Sequence, residues 1–177
     1  FMLNCLSDFV DRMHSMDEYS DYKFIIAGAP SRSEEDYKTL LSGRENIVKI
    51  IFGETYGVIK HADAAVINSG TASLEAAIIG TPQVVCYGSS ELSFLIARKI
   101  IKSDYISLGN LILGRQSFKE LIQYYSSGEN ILAEVNRILK DSSFRNTMVS
   151  DYAQIRSSLG GKGASEKVAS AMVKELK

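Results

Sequence analysis

Residues 64–87, AAVINSGTASLEAAIIGTPQVVCY, decide the fold. The run 64–67 is short and apolar, and the polar turn Asn68-Ser69-Gly70-Thr71 ends it. Residues 71–79 then read as a helix closed by Gly80, and 83–87 as a second apolar strand. A helix bridging two short strands is a crossover, which makes the strands parallel and the connection right-handed.

The same alternation extends in both directions. Upstream, 22–27 (YKFIIA) and 47–52 (IVKIIF) are strands. Between them a helix starts at the acidic cap Ser33-Glu34-Glu35-Asp36 and runs to about Leu41. A short helix over 54–61 leads into the quoted stretch. Downstream, 92–101 reads as a helix and 105–108 as a last short strand. The strands are apolar on both faces, as helices on both sides of a sheet require. The expectation is an α/β fold, a Rossmann-like doubly wound parallel sheet over residues 1–116. From about Ser117 the strand pattern stops, and 118–125, 131–140, 142–159 and 165–176 read as helices. Gly160-Gly161-Lys162-Gly163 breaks them, and 117–177 is expected to form a C-terminal helical tail.

The chain opens inside a helical pattern, because Met2, Leu3, Leu6, Phe9, Val10 and Met13 recur at helical spacing. The α/β unit is therefore expected to lack its first strand and to come from something longer.

At 177 residues the chain can bury one core, or one domain with an appendage. Its 45% apolar and 23% charged residues suit a globular domain, and a net charge of −1 offers no basic field to nucleic acid. Cys5 and Cys86 lie far apart in sequence, so they are read as thiols, not as a disulfide or a zinc pair. His14 and His61 have no companions at metal-ligand spacing, and neither metal nor cofactor is expected. No apolar run of roughly 18 residues suggests a membrane span, and no secretory signal is visible.

In open α/β sheets ligands sit beyond the carboxyl ends of the strands, which is where Asn68 to Thr71 falls. Gly70 has no Cβ and permits a tight turn with a close backbone approach. The helix that follows begins with unpaired N–H groups and the positive end of its dipole, a seat for phosphate. Ser69, Thr71 and Ser73 add hydroxyls, and Ala72 keeps the surface low. Glu75 lies one turn beyond Thr71 on the same helical face, where a carboxylate can accept both hydroxyls of a vicinal diol. Phosphate at the helix start with ribose on Glu75 describes a nucleoside diphosphate. The same residues also have an ordinary reading. Ser or Thr at a helix start is a cap worth about 1 kcal/mol, and an acid near a helix N-terminus compensates the dipole. Residue types alone leave both open.

Longer strings narrow the choice. HADAAVINSGTASLEAAIIGTPQVVCY (61–87), ARKIIKSDYISLGNLILGR (97–115), KELIQ (119–123) and LGGKGASEKVA (159–169) occur in that order. Together they resemble the C-terminal half of the lipid-A-disaccharide synthase family, over most of the chain from about Tyr22 to Val173. The resemblance implies one half of a GT-B glycosyltransferase, the half that holds UDP. The implied reaction moves a diacylated glucosamine from UDP to a diacylated glucosamine 1-phosphate and releases UDP. It implies no metal, with helix-dipole and side-chain donors stabilising the departing diphosphate.

Carried onto this sequence, the resemblance places Ser69, Gly70, Thr71, Ala72 and Ser73 at the diphosphate and Glu75 at the ribose. Asn110 and Arg115 in SLGNLILGR, with Glu120 and Gln123 in KELIQ, would lie beside the nucleotide. For Arg115 a surface ion pair is equally open, and for Asn110 bonds around its own turn. Gly109 stands where the family commonly has proline, which implies a looser loop. Acceptor recognition and the catalytic base belong to the N-terminal half, so no catalytic residue is assigned and the chain alone is expected to be inactive. The resemblance also implies a cytoplasmic location, peripheral to the inner membrane, and a homodimer formed through the C-terminal tail.

Two other functions fit the same fold. A UDP-sugar epimerase would need its own acid and base at the cleft. A flavodoxin-like nucleotide- or flavin-binding module would carry its phosphate loop after the first strand, not a later one. The helix at 92–102 (LSFLIARKIIK), edged by Arg98, Lys99 and Lys102, suits either a sheet cover or a membrane surface. Tyr124 and Tyr125 suit either packing or stacking on uracil.

Overall fold

The computed structural model describes residues 2–88, 104–160 and 163–175. In chain order the elements are Met2–His14 (α1), Phe24–Gly28 (β1), Lys38–Leu41 (α2), Val48–Phe52 (β2), Thr55–His61 (α3), Ala65–Asn68 (β3) and Thr71–Ile79 (α4). They continue with Gln83–Tyr87 (β4), Leu108–Leu113 (α5), Glu120–Ile122 (β5), Gly128–Lys140 (α6), Ser142–Leu159 (α7) and Ala164–Glu175 (α8).

All strand pairings among the described residues are parallel. β1 pairs with β2, Phe24 opposite Val48 and Gly28 opposite Phe52. β3, β4 and β5 form a second ladder in that order. Asn68 lies opposite Cys86 and Tyr87 opposite Ile122, so the carboxyl ends of these three strands share one edge.

Alternation along the strands builds two apolar layers. One layer gathers Phe24, Ile26, Val48, Val66, Val84, Cys86 and Leu121 beneath Phe9, Val10 and Met13 of α1 and Ile131 and Val135 of α6. The other gathers Ala65, Ile67 and Val85 beneath Ile59 of α3, Ala76 and Ala77 of α4, and Met148, Tyr152 and Ile155 of α7. Helices on both faces of parallel strands make the fold Rossmann-like, as expected. β4 is buried on both sides because it is the middle strand of its ladder. Each fully buried Val or Ile in these layers contributes roughly 1.5–3 kcal/mol.

Close backbone approach sets the α1–α6 contact. A Cβ on Gly128 would lie 2.2 Å from Asp8 Oδ2 and 2.6 Å from the Phe9 nitrogen. Caps then fix the helix starts, with Ser127 Oγ accepting from the Asn130 amide at 3.2 Å and Asp141 Oδ1 from the Phe144 amide at 2.9 Å.

Two expected elements differ. Residues 105–108 are not a strand: Ser107 is the N-cap of α5, and Glu120 takes the Ile106 and Ser107 amides at 2.8 and 3.1 Å. A side chain thus satisfies the N–H groups that a ladder would have used. Residues 118–125 are not a helix but β5 followed by a 3-10 turn, Gln123–Tyr125. Phe118 and Leu121 have helical spacing, yet they face opposite layers. The sheet therefore extends beyond residue 116, and α6 and α7 belong to the same layers as the strands. The expected helix at 92–101 lies outside the described residues. No described helix is long and apolar enough to cross a membrane.

Candidate functional site

β3 ends at Asn68, and the chain turns through Ser69 and Gly70 into α4. The Ser69 amide donates to the Cys86 carbonyl at 2.8 Å, so β4 holds the base of the turn. Gly70 has φ 158° and ψ −162°, a backbone region open essentially to glycine alone. Gly70 and Thr71 are exposed and Ser69 and Ala72 half-buried. The amides of Thr71 and Ala72 lead the helix and, as at any helix start, have no carbonyl one turn earlier.

Ser73 is different. It is fully buried, its Oγ donates to the Gly70 carbonyl at 2.9 Å, and its amide reaches the same oxygen at 3.4 Å. Its hydroxyl braces the turn from within. At the other end of α4, Gly80 adopts a left-handed C-cap, and Arg156 Nη1 donates to the Ala77 and Ile78 carbonyls, each at 3.2 Å. A cation at the negative end of the helix complements its dipole.

Glu75 is half-buried, one turn into α4, with the Tyr56 hydroxyl 3.5 Å from its Oε1. Gln123 follows β5 at the same strand edge as the Ser69–Thr71 turn, with the end of β4 between them. Its φ of 54° is the one positive value among the described non-glycine residues. A positive φ is uncommon for a residue with a side chain. Tyr124 and Tyr125 beyond it are both exposed.

The remaining candidates gather elsewhere. Asn110 is fully buried; its Nδ2 donates to the Phe118 carbonyl at 3.0 Å and to Glu120 Oε1 at 2.8 Å. Its Oδ1 accepts the Ser117 amide at 2.8 Å. Glu120 also accepts the Ser107 hydroxyl, besides the Ile106 and Ser107 amides. Asn110 and Glu120 therefore form one internal junction that ties α5 to β5. Arg115 makes a bidentate pair with Asp151 of α7, at 2.5 and 2.7 Å, and reaches Gln154 Oε1 at 3.1 Å. That guanidinium holds the Asp151 carboxyl below the usual carboxylate range. Gly109 lies inside α5 and is buried, where a Cβ would stand 2.9 Å from the Phe118 ring and 3.2 Å from Ile155 Cδ1. Its smallness serves packing, which corrects the expectation of a looser loop.

Sequence reasoning passed over Tyr56, Gln83, Tyr152 and Arg156. Gln83 carried a usable signal, because an amide opens the otherwise apolar run QVVCY. A shallow depression along α7, lined by Ser142, Ser143, Asn146, Thr147, Ser150 and Asp151, includes none of the turn residues.

A parallel α/β sheet with a glycine-pivoted strand-to-helix turn at its carboxyl edge defines a Rossmann-like chain. A sequence profile of the family described as lipid-A-disaccharide synthetase matches residues 2–174. The chain belongs to that family. A lipid-A-disaccharide synthase of Syntrophus aciditrophicus is 43% identical over 122 residues, covering 69% of this chain and 32% of the relative. One from Anaeromyxobacter dehalogenans is 34% identical over 152 residues, covering 85% and 40%. Another, from Nitrosococcus oceani, is 34% identical over 175 residues, covering 99% and 44%. The chain thus spans between about a third and less than half of the length of these relatives.

Proposed function

We propose that this chain is the UDP-binding part of a glycosyltransferase of lipid A synthesis. The reaction joins UDP-linked diacylglucosamine to diacylglucosamine 1-phosphate and releases UDP. Beside family membership, one observation carries the reading: an exposed glycine-pivoted turn starts α4 at the carboxyl edge of a parallel sheet, with Glu75 one turn along.

In this reading the Thr71 and Ala72 amides, with the Ser69 and Thr71 hydroxyls, hold the diphosphate. They meet its growing charge as the glycosidic bond breaks, already oriented and without reorganisation. Glu75 accepts the ribose hydroxyls, and Gln123 approaches from the β5 side. Ser73, Asn110, Arg115 and Glu120 support the site, since the bonds they make are internal. The acceptor and the catalytic base come from outside this chain, which alone is inactive. The protein works in the cytoplasm at the inner membrane surface. Its dimer forms through α8, which leaves Val168, Met172 and Val173 exposed.

Calorimetric titration with UDP, with UMP and FMN as controls, tests the nucleotide reading. UDP binding tighter than UMP, and weakened by Glu75→Ala, is expected. Equal affinity for UDP and FMN would overturn it. Sedimentation showing monomer alone at high concentration would overturn the dimer.

A further inference from the structure

Gln83 opens β4, whose next residues Val84, Val85 and Cys86 are apolar and buried. The Gln83 side chain is fully buried as well. An amide there loses water, and only directed hydrogen bonds compensate it. An apolar side chain of the same length would fill the space without that cost.

The bond it makes points at the turn. Gln83 Nε2 donates to the Ser73 carbonyl at 2.8 Å. Ser73 in turn donates its hydroxyl and its amide to the Gly70 carbonyl. A chain of bonds therefore runs from β4 through the first turn of α4 to its glycine pivot. Behind Gln83 stands α7. Met148 Sδ accepts the Gln83 backbone N–H at 3.4 Å, and Tyr152 buries its hydroxyl where the Gln83 side chain and main chain both act on it. Among the described residues, Tyr152 Oη and Gln83 Oε1 make no bond of standard geometry. The Gln83 donor is committed to Ser73 while its acceptor is left over.

We propose that Gln83 is a positioning residue for the anion cradle. It fixes the first turn of α4, so that the Thr71 and Ala72 amides converge on the diphosphate of a nucleoside diphosphate. The inference rests on the nucleotide reading above. Glu75 lies two residues beyond Ser73 and makes none of these bonds; its ribose contact runs through its own carboxylate, not through the amides that Gln83 positions. Loss of the amide is therefore felt by the phosphates and not by the nucleoside.

The experiment compares UDP, by calorimetry, with uridine, by competition against UDP, on wild-type chain and on Gln83→Met, which keeps length and removes the amide. Expected is a folded variant with uridine affinity within about twofold of wild type and UDP affinity lower by about tenfold. Should Gln83→Met not fold, Gln83→Leu, which also removes the amide but is more compact, makes the same comparison, with the same loss of about tenfold confined to UDP expected. Unchanged UDP affinity in the folded variant overturns the proposal, and so does an equal loss for UDP and uridine, which marks general loosening. A wild-type chain that binds no UDP overturns the nucleotide reading and this inference together. UDP binding that is sensitive to Glu75→Ala but indifferent to the folded Gln83 variant sinks this inference alone.

Discussion

The Tyr56 hydroxyl lies 3.5 Å from Glu75 Oε1, at the outer limit of a hydrogen bond, and joins the start of α3 to the first turns of α4. Tyr56 follows the carboxyl end of β2, and Glu75 follows that of β3. The half-buried carboxylate is thus met from the start of α3. If Glu75 accepts the ribose hydroxyls, Glu75→Gln weakens UDP binding about tenfold, since bonds to a charged acceptor are worth roughly 1.5–3 kcal/mol. Tyr56→Phe removes only the orienting contact and costs less, about twofold to threefold. Calorimetry measures both. A Glu75→Gln protein that binds UDP like wild type removes the ribose role.

Glu120 accepts four hydrogen bonds, from the Ile106 and Ser107 amides, the Ser107 hydroxyl and Asn110 Nδ2. A carboxylate has acceptors for all of them, whereas an amide would turn one donor group toward other donors. Glu120→Gln is expected to destabilise the fold by roughly 2–3 kcal/mol, and Ser107→Ala by about 1 kcal/mol. Urea unfolding monitored by circular dichroism reads both. An unchanged midpoint for Glu120→Gln would show that the junction does not hold α5 on β5.

Arg115 and Asp151 give a pH dependence with a definite sign. Asp151 is largely buried, its side chain 7% exposed against 45% for Arg115. Its carboxyl is held below the usual range chiefly by the bond from Arg115. A carboxyl depressed in the folded state contributes stability that is full above its unfolded value. That contribution is lost as pH falls through the lower folded value. Arg115→Gln should therefore cost roughly 1–2 kcal/mol at neutral pH, between the surface and buried limits for ion pairs. The difference from wild type should shrink on acidification below about pH 4. Unfolding curves at several pH values test this, and a gap that widens in acid contradicts it.

Much of this architecture was legible in the sequence because long-range packing agreed with local pattern. Thr71–Ile79, Gln83–Tyr87 and Ser142–Leu159 have the expected bounds, since each is marked at both ends by a turn, cap or glycine. The errors fell where a side chain replaced the backbone. Residues 105–108 have strand composition, but their amides are taken by Glu120, a partner more than ten residues away that no local pattern announces. β5 is three residues long, too short to display alternation against helical spacing. The turn at Ser69–Thr71 and the nearby Glu75 were readable as a candidate site from residue chemistry. The inward bonding of Ser73 was not, and for Asn110 and Arg115 it stood only as one of two open readings, because burial decides whether a donor faces a ligand or the protein.

Gly109 separates packing from flexibility in a single substitution. Were the glycine present to loosen a loop, alanine would stabilise the chain by about 0.4–1 kcal/mol through the unfolded state. Its place inside α5 adds a helix preference for alanine of about 1 kcal/mol. Against these gains, a Cβ would stand 2.9 Å from two atoms of the Phe118 ring and 3.2 Å from Ile155 Cδ1. Phe118 is fully buried and packed edge-on against Tyr152, so the ring cannot move aside freely. Overpacking of this kind costs about 1–3 kcal/mol. Gly109→Ala is therefore expected to lower stability by up to about 2 kcal/mol despite its better helix preference. Combining it with Phe118→Leu, which opens room at the same spot, should cost less than the two separate losses together, because neighbours that share a cavity do not add. Thermal unfolding of the two single variants and the double variant decides the matter. A stabilised Gly109→Ala protein would return the glycine to a conformational role and remove the packing one.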